Sequence, residues 1–356
     1  MVVKELNRLY ERYGYKKFKM SKFEPYELYV ENKNFLNSNQ VISFTDLDGE
    51  LLALKPDVTL SILKSGLGEG RIYYNENVYR PKDRHFRESA QTGIEYIGKL
   101  TAYAEAEVIS LAVKSLKLFS DEIRIRISDV GLLSDIFEKL SLTDTGRILR
   151  LFETKNVAEL DILMSEGEID DSKSEILKNL INLYLPFEEG VKRLADGSLT
   201  GELLGENKEI IIRLKKLASA LKAFGVIDKI YFDFSVINSM DYYNGIIFQG
   251  AIEELPFSVL SGGRYDKLAL KMGKDAGAIG FALDLSLVED YKEEVSDTAL
   301  DYIIIYNEKK DDITKAVEVV ERLIKEGYKV ELIEKDEEEM MGRIRAKQVL
   351  ELRRMI

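Results

Sequence analysis

Strand patterning stops near Val130 and returns at Ile230, while residues 132–227 between them are rich in Leu, Lys and Glu at helical spacing. Gly167, Gly190 and Gly197-Ser198 break that stretch. A chain written this way predicts one discontinuous core, residues 1–131 and 228–292, interrupted by a helical insertion over 132–227. The charged run EDYKEEVSD then sets off residues 299–356 as a short α/β C-terminal domain. With 356 residues the chain suits two or three domains, at about 100–200 residues each.

Within the core, Val3, Leu6, Leu9 and Tyr10 predict a helix over 3–13, ended by Gly14 in the left-handed conformation. VISFTDLDGELLALKP at 41–56 predicts a hairpin that turns at Asp48-Gly49. Residues 71–98 read as strands around the charged turn PKDRHFR, residues 103–119 as an amphipathic helix, and Arg124–Val130 as a further strand. Ile230, Phe232, Phe234 and Val236 alternate with Tyr231, Asp233 and Ser235, which predicts a strand over 230–236. In the tail, DYIIIYN reads as a buried strand and ITKAVEVVERLIKEG as a helix ending at Gly327. YKVELIE reads as a second strand, followed by a charged helix to Ile356.

The residue inventory excludes several chemistries. There is no cysteine and His85 is the only histidine, which removes disulfides, thiolate zinc sites, thiol nucleophiles and any site that needs two imidazoles. His85 itself lies among Lys82, Asp83, Arg84 and Arg87 and reads as a solvated loop residue. Against 63 Asp+Glu stand 51 Lys+Arg, a net charge of -12 that argues against a broad nucleic-acid surface. GLGEG at 66–70 lacks the Lys-Ser/Thr of a phosphate loop and reads as a connection. The charged amino terminus and the lack of any apolar run of about 18 residues predict a cytoplasmic chain with no membrane contact.

Four segments carry a family pattern in order: LALKPDVT at 52–59, RIYYNENVYRPKDRHFRESAQTGIEYIG at 71–98, MDYYNG at 240–245, and SGGRYDKL at 261–268 followed by GAIGFALDL at 277–285. Alone, Gly262, Gly263 and Tyr265 would read as a tight strand entry with a core tyrosine; beside MDYYNG they do not. Together the segments resemble the catalytic domain of histidyl-tRNA synthetase over roughly residues 1–130 and 229–292. The resemblance implies an α+β fold of the class II aminoacyl-tRNA synthetase kind, an antiparallel sheet flanked by helices, and a homodimer. It also implies a histidine-binding set of Asp57, Thr59, Arg80, Gln91, Glu95, Tyr242, Tyr243 and Tyr265. In it, Asp57, Thr59 and Gln91 would meet the α-ammonium, and Glu95, Tyr243 and Tyr265 the imidazole.

Histidine activation in that family proceeds by attack of the amino-acid carboxylate on the α-phosphate of ATP, so arginines must hold the developing anion. Arg80 matches the arginine of the second motif. Asn238 and Ser239, however, stand where the synthetase reads Arg-Gly, and Asp284-Leu285-Ser286-Leu287 stands where the third motif ends Gly-Leu-Glu-Arg. Ser21 replaces the proline of the first motif, and Asp57 is one methylene shorter than the family's glutamate. Losing one preorganised donor costs roughly 2.7–4 kcal/mol, so two losses lower the rate by about ten-thousandfold to a millionfold.

A core that keeps the amino-acid pocket but drops the activation arginines is similar to the regulatory subunits of ATP phosphoribosyltransferase. That resemblance implies no catalytic residue, metal or cofactor. Its implied partners are L-histidine and a short-form catalytic subunit that joins ATP to phosphoribosyl pyrophosphate. A divergent histidyl-tRNA synthetase, with Arg264 or Arg84 as replacement arginines, is the competing expectation, and a free-standing amino-acid-binding protein a third.

Overall fold

The computed structural model describes residues 2–32, 41–66, 68–82, 85–204, 208–237, 243–288, 300–307, 311–335 and 346–352. Contacts divide the chain into two units, Met1–Leu287 and Val288–Ile356.

In the first unit, α1 (Val2–Arg12) buries Leu6 and Tyr10 on one stripe, and Gly14 follows with φ 81°. β1 (Lys16–Lys17), β2 (Phe23–Pro25) and α2 (Glu27–Glu31) precede the hairpin β3 (Ser43–Thr45) and β4 (Leu51–Leu54), where Gly49 takes φ 91°. α3 (Val58–Lys64) leads to the long antiparallel pair β5 (Gly70–Lys82) and β6 (His85–Gly98). His85 opens β6, exposed and in register with Lys82, so it belongs to a strand end and not to a wide loop. α4 (Ala102–Lys117) and β7 (Ile123–Asp129) complete the first half of the core.

Helices α5 (Val130–Lys139), α6 (Thr145–Thr154), α7 (Ala158–Ser165) and α8 (Asp171–Ile181) follow, then β8 (Leu185–Pro186), α9 (Phe187–Ala195) and α10 (Glu209–Ala223). Gly167 and Gly197 take positive φ near helix ends, as expected. Gly190 does not break a helix. It sits inside α9 because a Cβ there would lie 2.9 Å from Phe232 Cδ1, so the glycine permits close packing on the sheet.

β9 (Ile230–Phe232), β10 (Ile246–Ile252), β11 (Ser258–Arg264), α11 (Asp266–Lys271) and β12 (Gly277–Asp284) return the chain to the sheet. β9 is shorter than the alternation over 230–236 suggested. After Phe232 the chain turns on Asp233, whose side chain accepts from Ser235 N at 2.9 Å and whose carbonyl accepts from Val236 N at 3.2 Å. Phe234 and Val236 are still buried, which is why a turn imitates a strand in the hydrophobic pattern.

The nine strands lie in the order β1-β5-β6-β12-β11-β10-β7-β9-β8. The run from β5 through β7 is antiparallel throughout, with parallel pairs only at β1/β5 and β7/β9. The result is the expected α+β class II synthetase-like arrangement. α1 and α4 pack against each other, joined by a hydrogen bond of 3.0 Å between Tyr10 OH and Ser115 Oγ, and Tyr10 meets Phe281 of β12 edge-on.

In the second unit, β13 (Leu300–Tyr306) is the centre of a parallel sheet between β14 (Val330–Glu334) and β15 (Ala346–Glu351). Helix Ile313–Lys325 buries Ala316, Val319 and Leu323 with Ile304 and Leu352. The charged segment expected as a helix is therefore strand β15 over Ala346–Glu351. Its backbone pairs with β13, and that tertiary pairing overrides a local pattern rich in Arg and Lys. The expected linker EDYKEEVSD, residues 289–297, falls outside the described residues. No helix among the described residues is long and apolar enough to cross a membrane.

Candidate functional site

A cavity of about 560 Å³ opens on the sheet face opposite α1 and α4, lined by Asp57, Thr59, Arg80, Gln91, Glu95, Tyr243 and Tyr265 among others. Seven of the eight expected histidine-binding residues thus line one cavity; Tyr242 lies outside the described residues, as do Asn238, Ser239 and Arg84.

Glu95 stands at the bottom, 2% exposed. Its cross-strand neighbours in one row are Gly280 and Gly263, and both glycines have a steric reason. A Cβ at Gly280 would overlap Glu95 Oε2, and one at Gly263 would lie 2.6 Å from the Tyr243 ring. Thr59 Oγ1 donates to Glu95 Oε1 at 2.8 Å, and the Tyr265 hydroxyl donates to Oε2. Burial pushes the Glu95 carboxyl up to about 8 despite these two hydrogen bonds, and the Asp57 charge adds to the rise. Tyr74, also buried beside the cavity, is raised well above its usual value by burial and then by Glu95 and Asp57.

Asp57 has structural work as well. It is the N-cap of α3, with Oδ1 accepting from Leu60 N at 3.0 Å, while Oδ2 faces Arg80 Nη2 at 3.4 Å. Its carboxyl is raised by burial, and Arg80 and the backbone donors of the cap oppose that rise. Arg80 Nε donates to Pro56 O, which holds the guanidinium at the cavity mouth. Gln91 is 7% exposed, and its side-chain amide has no hydrogen-bond partner among the described residues. A buried amide turned into an open cavity is a group awaiting a ligand or water.

The other end has a different chemistry. Leu287 lines the cavity where the third-motif arginine would stand. Asp284 accepts from Ser89 Oγ at 2.7 Å and from Leu287 N at 3.1 Å, and Ser286 Oγ accepts from Ala90 N at 2.9 Å. Among the lining residues the carboxylates Asp57, Glu95 and Asp284 face the single cation Arg80.

Arg264 is not a replacement arginine. It points away from this cavity, donating to Glu105 at 3.0 Å and to Asp266 at 2.7 Å. Glu105 and Asp129, both buried, also bind Arg213 of α10, so Arg264 belongs to a network that ties the helical segment to the sheet.

Tyr74, Gly280 and Gln249 are among the lining residues that were not expected at the site. Tyr74 shares the face of β5 with Arg80 by simple alternation, a signal that was present. Gly280 and Gln249 acquire meaning only once the register of β6, β12, β11 and β10 is known.

The model of the histidyl-tRNA synthetase family matches residues 1–288. A protein of Caldanaerobacter subterraneus subsp. tengcongensis named ATP phosphoribosyltransferase regulatory subunit is 30% identical over 343 residues, 92% of this chain and 88% of that one. A Bacillus halodurans structure described as an ATP phosphoribosyltransferase regulatory subunit/histidyl-tRNA synthetase superposes with TM-score 0.72 at 24% identity, over 98% of this chain and 92% of that one. A chain of the ATP phosphoribosyl transferase (HisG:HisZ) complex of Thermotoga maritima gives TM-score 0.61 at 19% identity, over 80% of this chain and 96% of that one.

Proposed function

The chain belongs to the histidyl-tRNA synthetase family, among the ATP phosphoribosyltransferase regulatory subunits, and from that premise we propose that it binds histidine and activates and feedback-regulates a short-form catalytic partner in the cytoplasm. It contributes no catalytic residue of its own to the first step of histidine biosynthesis. In this reading it acts as a homodimer within a hetero-oligomer, and the complex that contains the structurally similar Thermotoga maritima chain supports a partnered role.

One contrast within a single cavity carries the reading. The imidazole end keeps Glu95 between two hydroxyl donors, whereas the phosphate end offers Leu287 and Asp284 where an ATP-activating site needs cations. A carboxyl near neutrality suits an imidazole in either protonation state, because one proton can be shared between them. With Asp57 paired to Arg80 and Glu95 largely protonated, Asp284 leaves the lining with an unopposed negative charge where a polyphosphate needs cations.

The test combines assembly and rate. Mixed with a short-form catalytic subunit, this chain should co-elute on size-exclusion chromatography and raise phosphoribosyl transfer, and histidine should lower that rate. Separate peaks with unchanged transfer would overturn the partnered reading in favour of a free-standing binding protein. Histidine-dependent exchange of pyrophosphate into ATP, abolished by Arg80→Ala, would instead favour the synthetase.

A further inference from the structure

With Asn238 in the place of arginine, the ligand's carboxylate needs another donor. The cavity extends across the sheet beyond Glu95. One row of the sheet runs Gly93, Ala282, Ser261, Gln249, Arg126 in consecutive register. Ala282, Ser261 and Gln249 line the cavity, and the two small side chains leave a trough leading from β6 to Gln249 on β10.

At the end of the trough Arg126 Nη2 donates to Gln249 Oε1 at 2.9 Å, while Arg126 Nη1 pairs at 3.5 Å with Asp233, a carboxylate 1% exposed. A guanidinium has donors only, so the amide atom it meets must be the oxygen. The amide's orientation is therefore fixed. Its Nε2 is left as a donor with no acceptor among the described residues, on a side chain that lines the cavity. Three strand spacings of about 4.8 Å, with an offset of two residues at about 3.4 Å each along the strands, separate Glu95 from Gln249 by about 16 Å between backbones. A bound amino acid with a hydrogen bond of about 2.9 Å at each end spans that gap once Glu95 and Gln249 lean into the trough.

We propose that Gln249 holds the carboxylate of the bound amino acid, with Arg126 as its positioning residue. The inference rests on the histidine reading above. A neutral amide grips a carboxylate less strongly than a bidentate arginine does, which fits a site that must release its ligand as concentration falls. The buried amide of Gln91 offers its oxygen to the ammonium and its nitrogen as a second donor to the carboxylate from the near wall.

Calorimetry on the full chain with L-histidine and with histamine, which lacks the carboxylate, separates the possibilities. Gln249→Leu should weaken histidine about tenfold and leave histamine unchanged, because a hydrogen bond to a charged group is lost. Gln249→Glu should weaken histidine further, by repulsion between carboxylates, without weakening histamine. Arg126→Met, which frees the amide to rotate, should lower the preference for histidine over histamine. Equal changes for both ligands, or none, would overturn the proposal while leaving the histidine site standing. Wild-type protein that binds neither ligand would overturn both.

Discussion

Thr59, in the first turn of α3, donates its hydroxyl to Glu95 Oε1 on β6 at 2.8 Å, which links the residue expected at the ammonium to the one expected at the imidazole. The two halves of the pocket are thus one hydrogen-bonded unit before any ligand arrives. Preorganisation of this kind lowers the ordering cost of binding.

The Glu95 carboxyl gives the empty protein a characteristic pH dependence. Its value is raised from 4.5 to about 8, so in this window the folded chain keeps a proton that the unfolded chain has released. That contribution to stability is complete below about 4.5 and is lost as pH rises through about 8. The slope is at most about 1.4 kcal/mol per pH unit. Denaturant titrations from pH 5 to pH 9 should show wild type weakening relative to Glu95→Gln. Parallel profiles would place the titrating group elsewhere.

Gly280 is expected to tolerate no side chain. Gly280→Ala would push Glu95 off Tyr265 and should reduce histidine affinity at least tenfold, with a stability loss of about 1–3 kcal/mol from overpacking. Calorimetry and urea unfolding of the same sample measure both. Unchanged histidine affinity would mean that Glu95 does not contact the ligand.

Arg213 anchors α10 to the sheet through Glu105 and Asp129, which are 1% and 0% exposed. Arg213→Met leaves Asp129 buried without this cation and should destabilise the chain by about 3 kcal/mol. Glu105 keeps Arg264, so the loss should fall short of removing both arginines. An unfolding midpoint equal to wild type would show the network to be dispensable.

Much of this was legible in the chain. The Asp48-Gly49 hairpin, the long β5/β6 pair and helix α4 follow from turn chemistry and periodicity, which act locally. Seven of the expected residues line one cavity, and they were readable as candidates because strings such as GGRYD carry the resemblance. Gln249 and Gly280 were not, since each matters through neighbours across the sheet and register is a tertiary property. β15 was missed for the same reason: its pairing with β13 is decided by the sheet, not by its own residues. Gly190 misled because a helix interior normally excludes glycine, and only the approach of Phe232 explains it.

Histidine binding to the wild-type chain and to Glu95→Ala, measured by calorimetry alone and in complex with a short-form catalytic subunit, tests the central claim most directly. The account predicts saturable one-site binding of L-histidine by wild type, weakened by roughly 1–3 kcal/mol, about 5- to 150-fold, in Glu95→Ala because the ligand's N–H loses its buried acceptor. Wild-type protein that takes up no histidine in either form, or a Glu95→Ala variant that binds as tightly as wild type, would contradict it.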